Sequence, residues 1–348
     1  QDNSTINKSN PVSIGLNSVN SISAGDGIFT SVSGIFLTAA GTNAQGQLGD
    51  STTISRSSAT LVRPLNYPLA PALLITNTSW SQVSAGTSYN VAIDTNNLLY
   101  TWGLNSSGQL GDNTTITKSS PTQIGTSSWT QVSAGANHVV AIRNDGTLWT
   151  WGSSTAIGLM DYPKSWAYVT SGQGDNFAAI RNDGLLFTWG NNNAGQLGDS
   201  TTINKSSPVQ VAGGGSWTTV SFGTSHTMGI KNDGTVLAWG LNGGGQLGDN
   251  TTINKSSPVL ISGGGSWSKI SAGASNSAAI NTAGKLYTWG SNTLSLVGDN
   301  TTVSKSAPVQ ILSGTSFIGV GVGVNHALAI DTTNKLYGWG ESLSLGII

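Results

Sequence analysis

Histidine is the residue type of this chain best suited to hold a metal ion or to transfer a proton. There are three, His138, His226 and His326, and each follows a Gly by three positions. Three converging imidazoles would suit zinc, which needs all of its ligands at about 2 Å. The three histidines share a local sequence, however, and therefore occupy the same position in different repeats. Repeats arranged around an axis would hold these positions apart. We therefore predict no metal site and expect each histidine to bond neighbouring backbone.

The carboxylates do not predict a catalytic centre either. Glu341 is the only Glu, and most Asp recur at two positions, a polar loop (Asp2, Asp50, Asp112, Asp199, Asp249, Asp299) and a hairpin turn (Asp94, Asp145, Asp183, Asp233, Asp331). A paired-carboxylate hydrolase needs two carboxyl groups with different environments in one cleft. No Gly-x-Ser-x-Gly elbow marks a nucleophile. We predict turn formation by these Asp, no catalytic residue, no enzymatic activity and no cofactor, with calcium in the polar loop as a minor alternative.

Composition argues against several classes of partner. Charged residues make up 8% of the 348 residues and the formal net charge is -1, against roughly 25% charged residues in an average soluble protein. Electrostatic binding of nucleic acid therefore lacks its driving force. No apolar run approaches the roughly eighteen residues of a membrane helix, so no membrane insertion is predicted. Cysteine is absent, which excludes disulfides and thiolate chemistry.

A recurring Trp-Gly pair divides the chain into seven units of about fifty residues. Ala40-Gly41 stands at the first copy, and the tryptophans of the others, which name the units below, are Trp102, Trp151, Trp189, Trp239, Trp289 and Trp339. In the Trp151 unit, residues 129–135, 138–142 and 148–151 have the alternation of strands, with a tight turn at Asn144-Asp145-Gly146. A run beginning with Pro, such as residues 208–211, supplies a fourth strand.

Four short strands in each unit, without helical periodicity, predict an all-β fold: a seven-bladed β-propeller with four-stranded blades, in a single domain 1–348. The last unit stops before its fourth strand, and residues 2–14 match residues 249–261 almost residue for residue. We therefore predict that the N-terminal strand (Pro11, Val12, Ile14) completes the last blade beside Leu336 and Trp339. Residues 1–14 then belong to blade 7, 15–62 form blade 1, 63–78 are an insert and 79–348 form blades 2 to 7.

The repeated motifs Ser-Ala-Gly-x-x-His, Asn-Asp-Gly, Leu-x-x-Trp-Gly and Gly-Gln-Leu-Gly-Asp resemble those of the regulator of chromosome condensation family. The resemblance covers all seven units and implies a seven-bladed propeller. The known roles of that family include nucleotide exchange on a small nuclear GTPase, ultraviolet perception in plants and, in secreted bacterial members, inhibition of β-lactamases. The fold alone selects none of these roles.

Two irregular stretches are the predicted partner-binding regions. Gly41 and Gly103 lie 62 residues apart and enclose an insert with Arg63 and Tyr67. Gly152 and Gly190 lie 38 residues apart, because the polar loop and its Lys-Ser-Ser-Pro segment are replaced by a segment with Met160, Asp161, Tyr162 and Lys164. Irregular loops on a rigid scaffold often carry recognition. Drift in a repeat array without function is the equally weighted alternative.

Function is predicted from surface character. Low charge and a net charge near zero favour association of propeller faces, so we predict an extracellular or cell-surface structural or adhesive building block. It would bind protein, including copies of itself, and would form fibres by face stacking or by exchange of the terminal strand. The alternatives are a binding module or inhibitor of an extracellular enzyme, and exchange on a nuclear GTPase. Extracellular placement rests on sparse charge, the absent initiator Met and the secreted relatives, and glycosylation is predicted at Asn3, Asn113, Asn250 and Asn300.

Overall fold

All regular structure in the described residues is β-strand. The computed structural model describes residues 8–13, 21–24, 28–33, 36–41, 43–48, 52–53, 55–61, 80–153, 158–159, 165–172 and 174–340. In those ranges there is no helix long and apolar enough to cross a membrane. The strands form six antiparallel sheets.

Five sheets have four strands each, named below in hydrogen-bonded order. The first contains β2 (Ser21–Ala24), β3 (Ile28–Ser33), β4 (Phe36–Gly41) and β5 (Arg56–Leu61). The second contains β13 (Trp166–Ser171), β14 (Asn176–Arg181), β15 (Leu186–Gly190) and β16 (Lys205–Gln210). The third contains β17 (Trp217–Phe222), β18 (His226–Lys231), β19 (Val236–Gly240) and β20 (Lys255–Leu260). The fourth contains β21 (Trp267–Ala272), β22 (Asn276–Asn281), β23 (Leu286–Gly290) and β24 (Lys305–Gln310). The fifth contains β25 (Phe317–Val322), β26 (His326–Asp331), β27 (Leu336–Gly340) and β1 (Lys8–Ser13).

The sixth sheet has seven strands, where the repeat predicted two separate sheets of four. It contains β6 (Trp80–Ala85), β7 (Tyr89–Asp94), β8 (Leu98–Gly103), β9 (Lys118–Ala134), β10 (His138–Arg143), β11 (Leu148–Gly152) and β12 (Gly158–Leu159). The 17-residue β9 pairs with β8 through its first part and with β10 through its last part.

A shorter connection explains the continuous β9. Between Pro121 and Trp129 the chain is one residue shorter than between Pro208 and Trp217. The longer connection has three glycines at positive φ, Gly213, Gly214 and Gly215, whereas the shorter one has only Gly125. Positive φ at successive residues turns the chain away from an extended path. With one such residue, the backbone stays extended from one unit into the next.

The fourth strand of a regular unit begins earlier than the sequence predicted. In the Trp189 unit it starts at Lys205, so Pro208 lies inside β16 and not at its first position. The pairing with β15 runs from Gly190↔Lys205 to Thr188↔Val209 and shifts register between them. The strand lies at the edge of its sheet, where proline's missing N–H leaves no ladder partner unpaired.

The two chain ends meet in one sheet. β1 pairs antiparallel with β27, with Val12 opposite Gly338 and Ser13 opposite Tyr337. Pro11 and Val12 therefore lie in a strand beside Leu336 and Trp339, and Ile14 lies outside the described residues. The strands β2, β6, β9, β13, β17, β21 and β25 contact one another in that order, and β25 contacts β2, which closes the cycle.

The core lies between neighbouring sheets. One cluster joins Ala178 and Ile180 of β14 to Val220, Phe222 and Trp239 of the next sheet. Serine hydroxyls also connect neighbouring inner strands. Each Oγ accepts a hydrogen bond from a backbone N–H of the following inner strand, in the pairs Ser84 with Ala134 (3.0 Å), Ser133 with Ser171 (3.0 Å), Ser221 with Ala272 (2.9 Å) and Ser271 with Val322 (2.9 Å). Each unit therefore needs its neighbour to complete both its apolar and its polar contacts.

Candidate binding site beside Trp151

The polar loop of each regular unit is built around a buried asparagine. In the Trp239 unit, Asn242 Nδ2 donates to Asp249 Oδ1 at 3.0 Å and to the Thr251 carbonyl at 3.0 Å, while Asn242 Oδ1 accepts from Leu247 N at 2.9 Å. Asp249 Oδ1 also accepts from Thr251 N at 3.0 Å. The same contacts recur around Asn105, Asn192 and Asn292. The loop aspartates thus form turns, as the sequence predicted, but the sequence pattern did not identify the asparagine that organises them.

Each polar loop also holds the tryptophan of the following unit. Trp239 Nε1 donates to the Gln196 carbonyl at 2.9 Å and Trp289 Nε1 donates to the Gln246 carbonyl at 3.0 Å. Trp189 follows the unit whose sequence lacks this loop, and its Nε1 has no hydrogen-bond partner among the described residues. Phe177 stacks on Trp189 at 5.3 Å between ring centroids, at the position where Thr227 bonds the loop in the next unit. An aromatic side chain therefore replaces a polar contact where the loop is lost.

A cavity lies beside Trp151. This Trp151 cavity is ≈ 540 Å³ and is lined on one side by the polar loop of the Trp102 unit and Ile124, and on the other by Trp129, Trp149 and Trp151. Trp102, Trp189, Trp239, Trp289 and Trp339 are at most 1% exposed, whereas Trp151 is half-buried. Within the described residues, the fourth strand β12 pairs with Trp149 and Thr150. Gly152 lines the cavity, whereas its counterpart Gly190 pairs with Lys205.

A regular unit shows how small this space is elsewhere. In the Trp239 unit the corresponding cavity is ≈ 100 Å³ and lies between Trp217, Lys231 and Leu237. Ser257 and Pro258 of the fourth strand form part of its lining. The Trp151 cavity is therefore the larger of the two spaces.

Arg143 gives the Trp151 cavity its charge. Its Cζ lies 3.8 Å from the ring centroid of Trp149 and 5.0 Å from that of Trp129, which is stacking of a guanidinium on aromatic faces. Arg143 Nε is buried and has no hydrogen-bond partner, and no carboxylate of the described part of the chain lies within 4 Å of the guanidinium. Trp129 Nε1 is likewise buried without a partner among these residues. The cavity therefore combines indole surface with a cation that has no counter-ion in the described ranges.

Arg181 shows the usual arrangement at the same repeat position. Its Cζ lies 5.3 Å from the ring centroid of Phe187, and its guanidinium forms an ion pair with Asp183. The hydrogen bond and ion pair with Arg181 lower the pKa of Asp183. Arg143 occupies the equivalent place at the end of β10 but has no such partner within the described residues.

The histidines lie apart from this cavity, and the prediction that they bond backbone was wrong. His138 Nδ1 lies 3.1 Å from Asp175 Oδ1, and His226 Nε2 lies 2.9 Å from Ser277 Oγ. Neither ring nitrogen of His326 has a hydrogen-bond partner in the described ranges. All three are fully buried, and burial lowers the pKa of His226 and that of His326 to about 4. The hydrogen bond from His138 lowers the pKa of Asp175, against the opposing effect of burial. The described residues contain no group of three metal-ligating side chains.

The residues predicted from the irregular segments are not described. Arg63, Tyr67, Met160, Asp161, Tyr162, Lys164 and Asn3 lie outside the described residues. Asn113, Asn250 and Asn300 are exposed and have positive φ values of 59°, 65° and 64°. Asn113 also lines the Trp151 cavity. Glycosylation at these asparagines stays a prediction.

Two family models of the regulator of chromosome condensation (RCC1) repeat match this chain. One matches residues 96–142, 183–230, 233–280 and 283–330, and the other matches residues 80–109, 129–156, 217–246 and 267–295. The matches of the first model cover more than half of the sequence. The chain therefore belongs to the regulator of chromosome condensation repeat family, as its motifs indicated.

Solved structures support the same fold. Prp20p from Saccharomyces cerevisiae, studied for its binding to Gsp1p and histones, has a TM-score of 0.78 and 18% identity, over 92% of this chain and 82% of that chain. Human WBSCR16 has a TM-score of 0.73 and 20% identity, over 93% and 87%. The ectodomain of the Arabidopsis thaliana receptor kinase ACR4 has a TM-score of 0.57 and 17% identity, over 93% and 96%. No curated protein sequence matches the chain. At these identities the likeness establishes a β-propeller fold and not a shared partner.

Proposed function

We propose that this chain is a non-enzymatic, seven-bladed propeller that binds a partner protein outside the cell. The blade count is supported by the closed cycle of inner strands from β2 to β25. This count treats the seven-stranded sheet as two blades that share β9. The first part of β9 pairs with β8 and its last part pairs with β10. A protein-binding role is supported by the similar structure of Prp20p, which was studied for its binding to Gsp1p and histones.

One observation carries the proposed binding role: the Trp151 cavity. Its volume is ≈ 540 Å³, against ≈ 100 Å³ at the corresponding place of the Trp239 unit. Half-buried tryptophan and arginine are the residue types most enriched at the energetic centres of protein interfaces. The two irregular segments, with Tyr67 and Tyr162, stay predicted partner-binding regions outside the described residues. Extracellular placement rests on the 8% content of charged residues and is proposed on that ground.

Retention of a partner from the secreted and surface proteins of the source organism tests the proposed function. The immobilised full chain should retain one protein in reproducible stoichiometry, and the double substitution Tyr67→Ala and Tyr162→Ala should abolish retention while the melting temperature stays unchanged. A variant altered at an exposed position of a regular unit, Leu260→Ala, is the control and should retain the partner. Absence of any stoichiometric partner, or a measured catalytic turnover, would contradict the proposal.

A second candidate function is self-assembly into a structural or adhesive fibre. Branched aliphatic side chains are exposed at the same loop position of four units: Ile116 at 62%, Ile203 at 65%, Ile253 at 66% and Val303 at 64%. Such repeated apolar exposure favours stacking of faces. The terminal strand β1 is an edge strand paired only with β27, so the same pairing is available to a second copy.

Sedimentation and electron microscopy of the purified chain test self-assembly. We expect concentration-dependent stacks for the full chain, and we expect that a chain lacking residues 1–14 binds a free peptide of that sequence. Single rings at all concentrations, with no binding of the peptide, would contradict both routes of assembly.

A further inference from the structure

The Trp151 cavity combines aromatic surface with the Arg143 guanidinium, which has no ion-pair partner among the described residues. The space at the propeller axis is smaller, ≈ 200 Å³, and its lining is small residues such as Ser84, Ser133 and Ser221. The buried histidines His138 and His226 face neighbouring side chains and not a cavity. The lining of the Trp151 cavity therefore indicates which ligand chemistry this fold would recognise.

Charge complementarity with Arg143 indicates that the ligand of the Trp151 cavity carries an anionic group. The Arg143 guanidinium is held against Trp149 and Trp129 by stacking, so little side-chain freedom remains to be lost on binding. Its buried Nε has no partner among the described residues, and an unsatisfied buried donor is costly. A carboxylate is the planar acceptor that matches a guanidinium in two hydrogen bonds. A cationic ligand is disfavoured, because Arg143 already occupies the aromatic faces that would attract it.

The remaining lining indicates an apolar side chain next to that carboxylate. Leu99, Ile124 and Trp151 line the cavity beside the guanidinium. Gly108 also lines the cavity, and no atom lies within 4 Å of the place where its side chain would stand, so a main chain can approach closely there. A sugar acid would supply the carboxylate but not the apolar group that these side chains match.

We propose that the Trp151 cavity binds an extended peptide segment of a partner protein that carries a carboxylate next to an aromatic or branched aliphatic side chain. The carboxylate pairs with Arg143, and the apolar side chain packs against Trp151 and Ile124. This inference rests on the proposed protein-binding function and names the chemistry of the segment recognised. It does not depend on the identity of the whole partner.

Titration of the full chain with defined peptides tests the inference. The probes are capped hexapeptides Ser-Gly-Phe-Glu-Gly-Ser and Ser-Gly-Leu-Glu-Gly-Ser, their counterparts with Gln or Lys in place of Glu, and digalacturonate as the acidic sugar. The indole N–H resonances of the 12 tryptophans report binding by NMR, and Trp149 and Trp151 are assigned by substitution with Phe. We expect the Glu peptides to shift those two signals and to bind at least about tenfold more tightly than the Gln peptides.

Variants at one repeat position separate recognition from folding. Arg143→Gln should remove the preference for Glu over Gln, and Arg143→Lys should retain part of it, because the charge remains but the planar fork is lost. Arg181→Gln and Lys231→Gln, at the same position of regular units, should leave the preference unchanged. Unchanged melting temperatures and unchanged signals of the other tryptophans verify that each variant folds.

Several results would overturn the inference. They are equal affinity for Glu and Gln peptides, shifts confined to other tryptophans, an undiminished preference in Arg143→Gln, or binding of digalacturonate alone. If a partner protein is still retained by the Arg143→Gln chain, the proposed peptide chemistry is wrong while the binding function stands. If peptides bind as expected but no partner protein is retained, the proposed function fails and the peptide site does not.

Discussion

The Trp151 and Trp239 units share one repeat but differ in what covers the third strand. In the Trp239 unit, β20 pairs along β19 from Gly240 to Leu237, and Trp239 is fully buried. In the Trp151 unit, the described fourth strand is the two residues Gly158–Leu159, and Trp151 is half-buried beside a cavity. In both units the inner three strands are paired, and the units differ in the described fourth strand beside the third.

The largest expected difference in stability between the two units lies in the effect of replacing Trp239 or Trp151. Trp239→Ala removes a fully buried indole that packs 5.6 Å from Trp217 between ring centroids, and we expect a loss of about 3–5 kcal/mol in the free energy of unfolding. Trp151→Ala removes a half-buried indole beside an existing cavity, so we expect about 1–2 kcal/mol. Denaturant unfolding of both variants measures the difference. Equal losses would mean that the Trp151 unit is packed as tightly as the regular one.

The contribution of each buried histidine to stability depends on pH. His226 and His326 have a pKa of about 4 in the folded chain because they are buried, and the unfolded value is about 6.5. As pH falls from 6.5 towards 4, the unfolded chain takes up protons that the folded chain does not. Stability is therefore lost over this window, by at most about 3 kcal/mol for each histidine.

The double substitution His226→Asn and His326→Asn isolates this contribution. Asparagine is the residue found at the same position as Asn176 and Asn276, so the repeat accommodates it. The free energy of unfolding, measured between pH 4 and 7.5, should fall less steeply with acid in the variant than in the unmodified chain. Carboxylates titrate in both chains, so their contribution cancels in the comparison. Parallel pH profiles would contradict a role for these histidines in acid sensitivity.

The polar loop that the Trp151 unit lacks is expected to contribute less to the free energy of unfolding. Asn242→Ala would leave the Leu247 N–H and Thr251 carbonyl without the partner they have now, and unsatisfied buried groups cost about 1–3 kcal/mol. Asn250→Gly, in the same loop, is the control, because Asn250 is exposed and has a positive φ of 65° that glycine adopts easily. We expect no loss of stability for the control in thermal unfolding. A comparable loss in both variants would show that loop backbone, and not the Asn242 side chain, is limiting.

The sequence predicted the repeated framework better than the places where it changes. Strand alternation, the Asn-Asp-Gly turns and the matching chain ends arise from local sequence, and pairing of β1 with β27 is what the chain ends predicted. The merger of two predicted blades into one sheet depends on a single missing residue before Trp129, a difference too small to appear in a pattern of fifty-residue units. The fourth-strand boundary was missed at Pro208, because an edge strand tolerates an internal proline that the pattern treats as a start.

The candidate site was missed for a related reason. Trp129, Trp149 and Trp151 each occupy a regular repeat position, so the repeat pattern assigns all three to packing between blades. Of the three, only Trp151 is more exposed than its counterparts in other units; Trp129 is buried, as its own counterparts are. The pattern does not single out Arg143 either, because Asp183 follows Arg181 by two residues just as Asp145 follows Arg143. In the structure, Arg181 forms an ion pair with Asp183, whereas Arg143 Nε has no hydrogen-bond partner among the described residues.

Arg143 is expected to have the smallest effect on stability, which is what distinguishes a binding residue from a structural one. The guanidinium stacks on Trp149 and Trp129, and partly exposed cation–π contacts contribute about 0.5–1 kcal/mol. Its buried Nε has no hydrogen bond to lose within the described residues, so Arg143→Gln should lower the free energy of unfolding by no more than about 1 kcal/mol. Lys231→Gln, whose Nζ lies 5.2 Å from the Trp217 centroid, is the counterpart in the regular unit and should cost about as little. Denaturant unfolding of both variants checks this, and a loss several times larger for Arg143→Gln alone would assign that side chain to the packing of its unit.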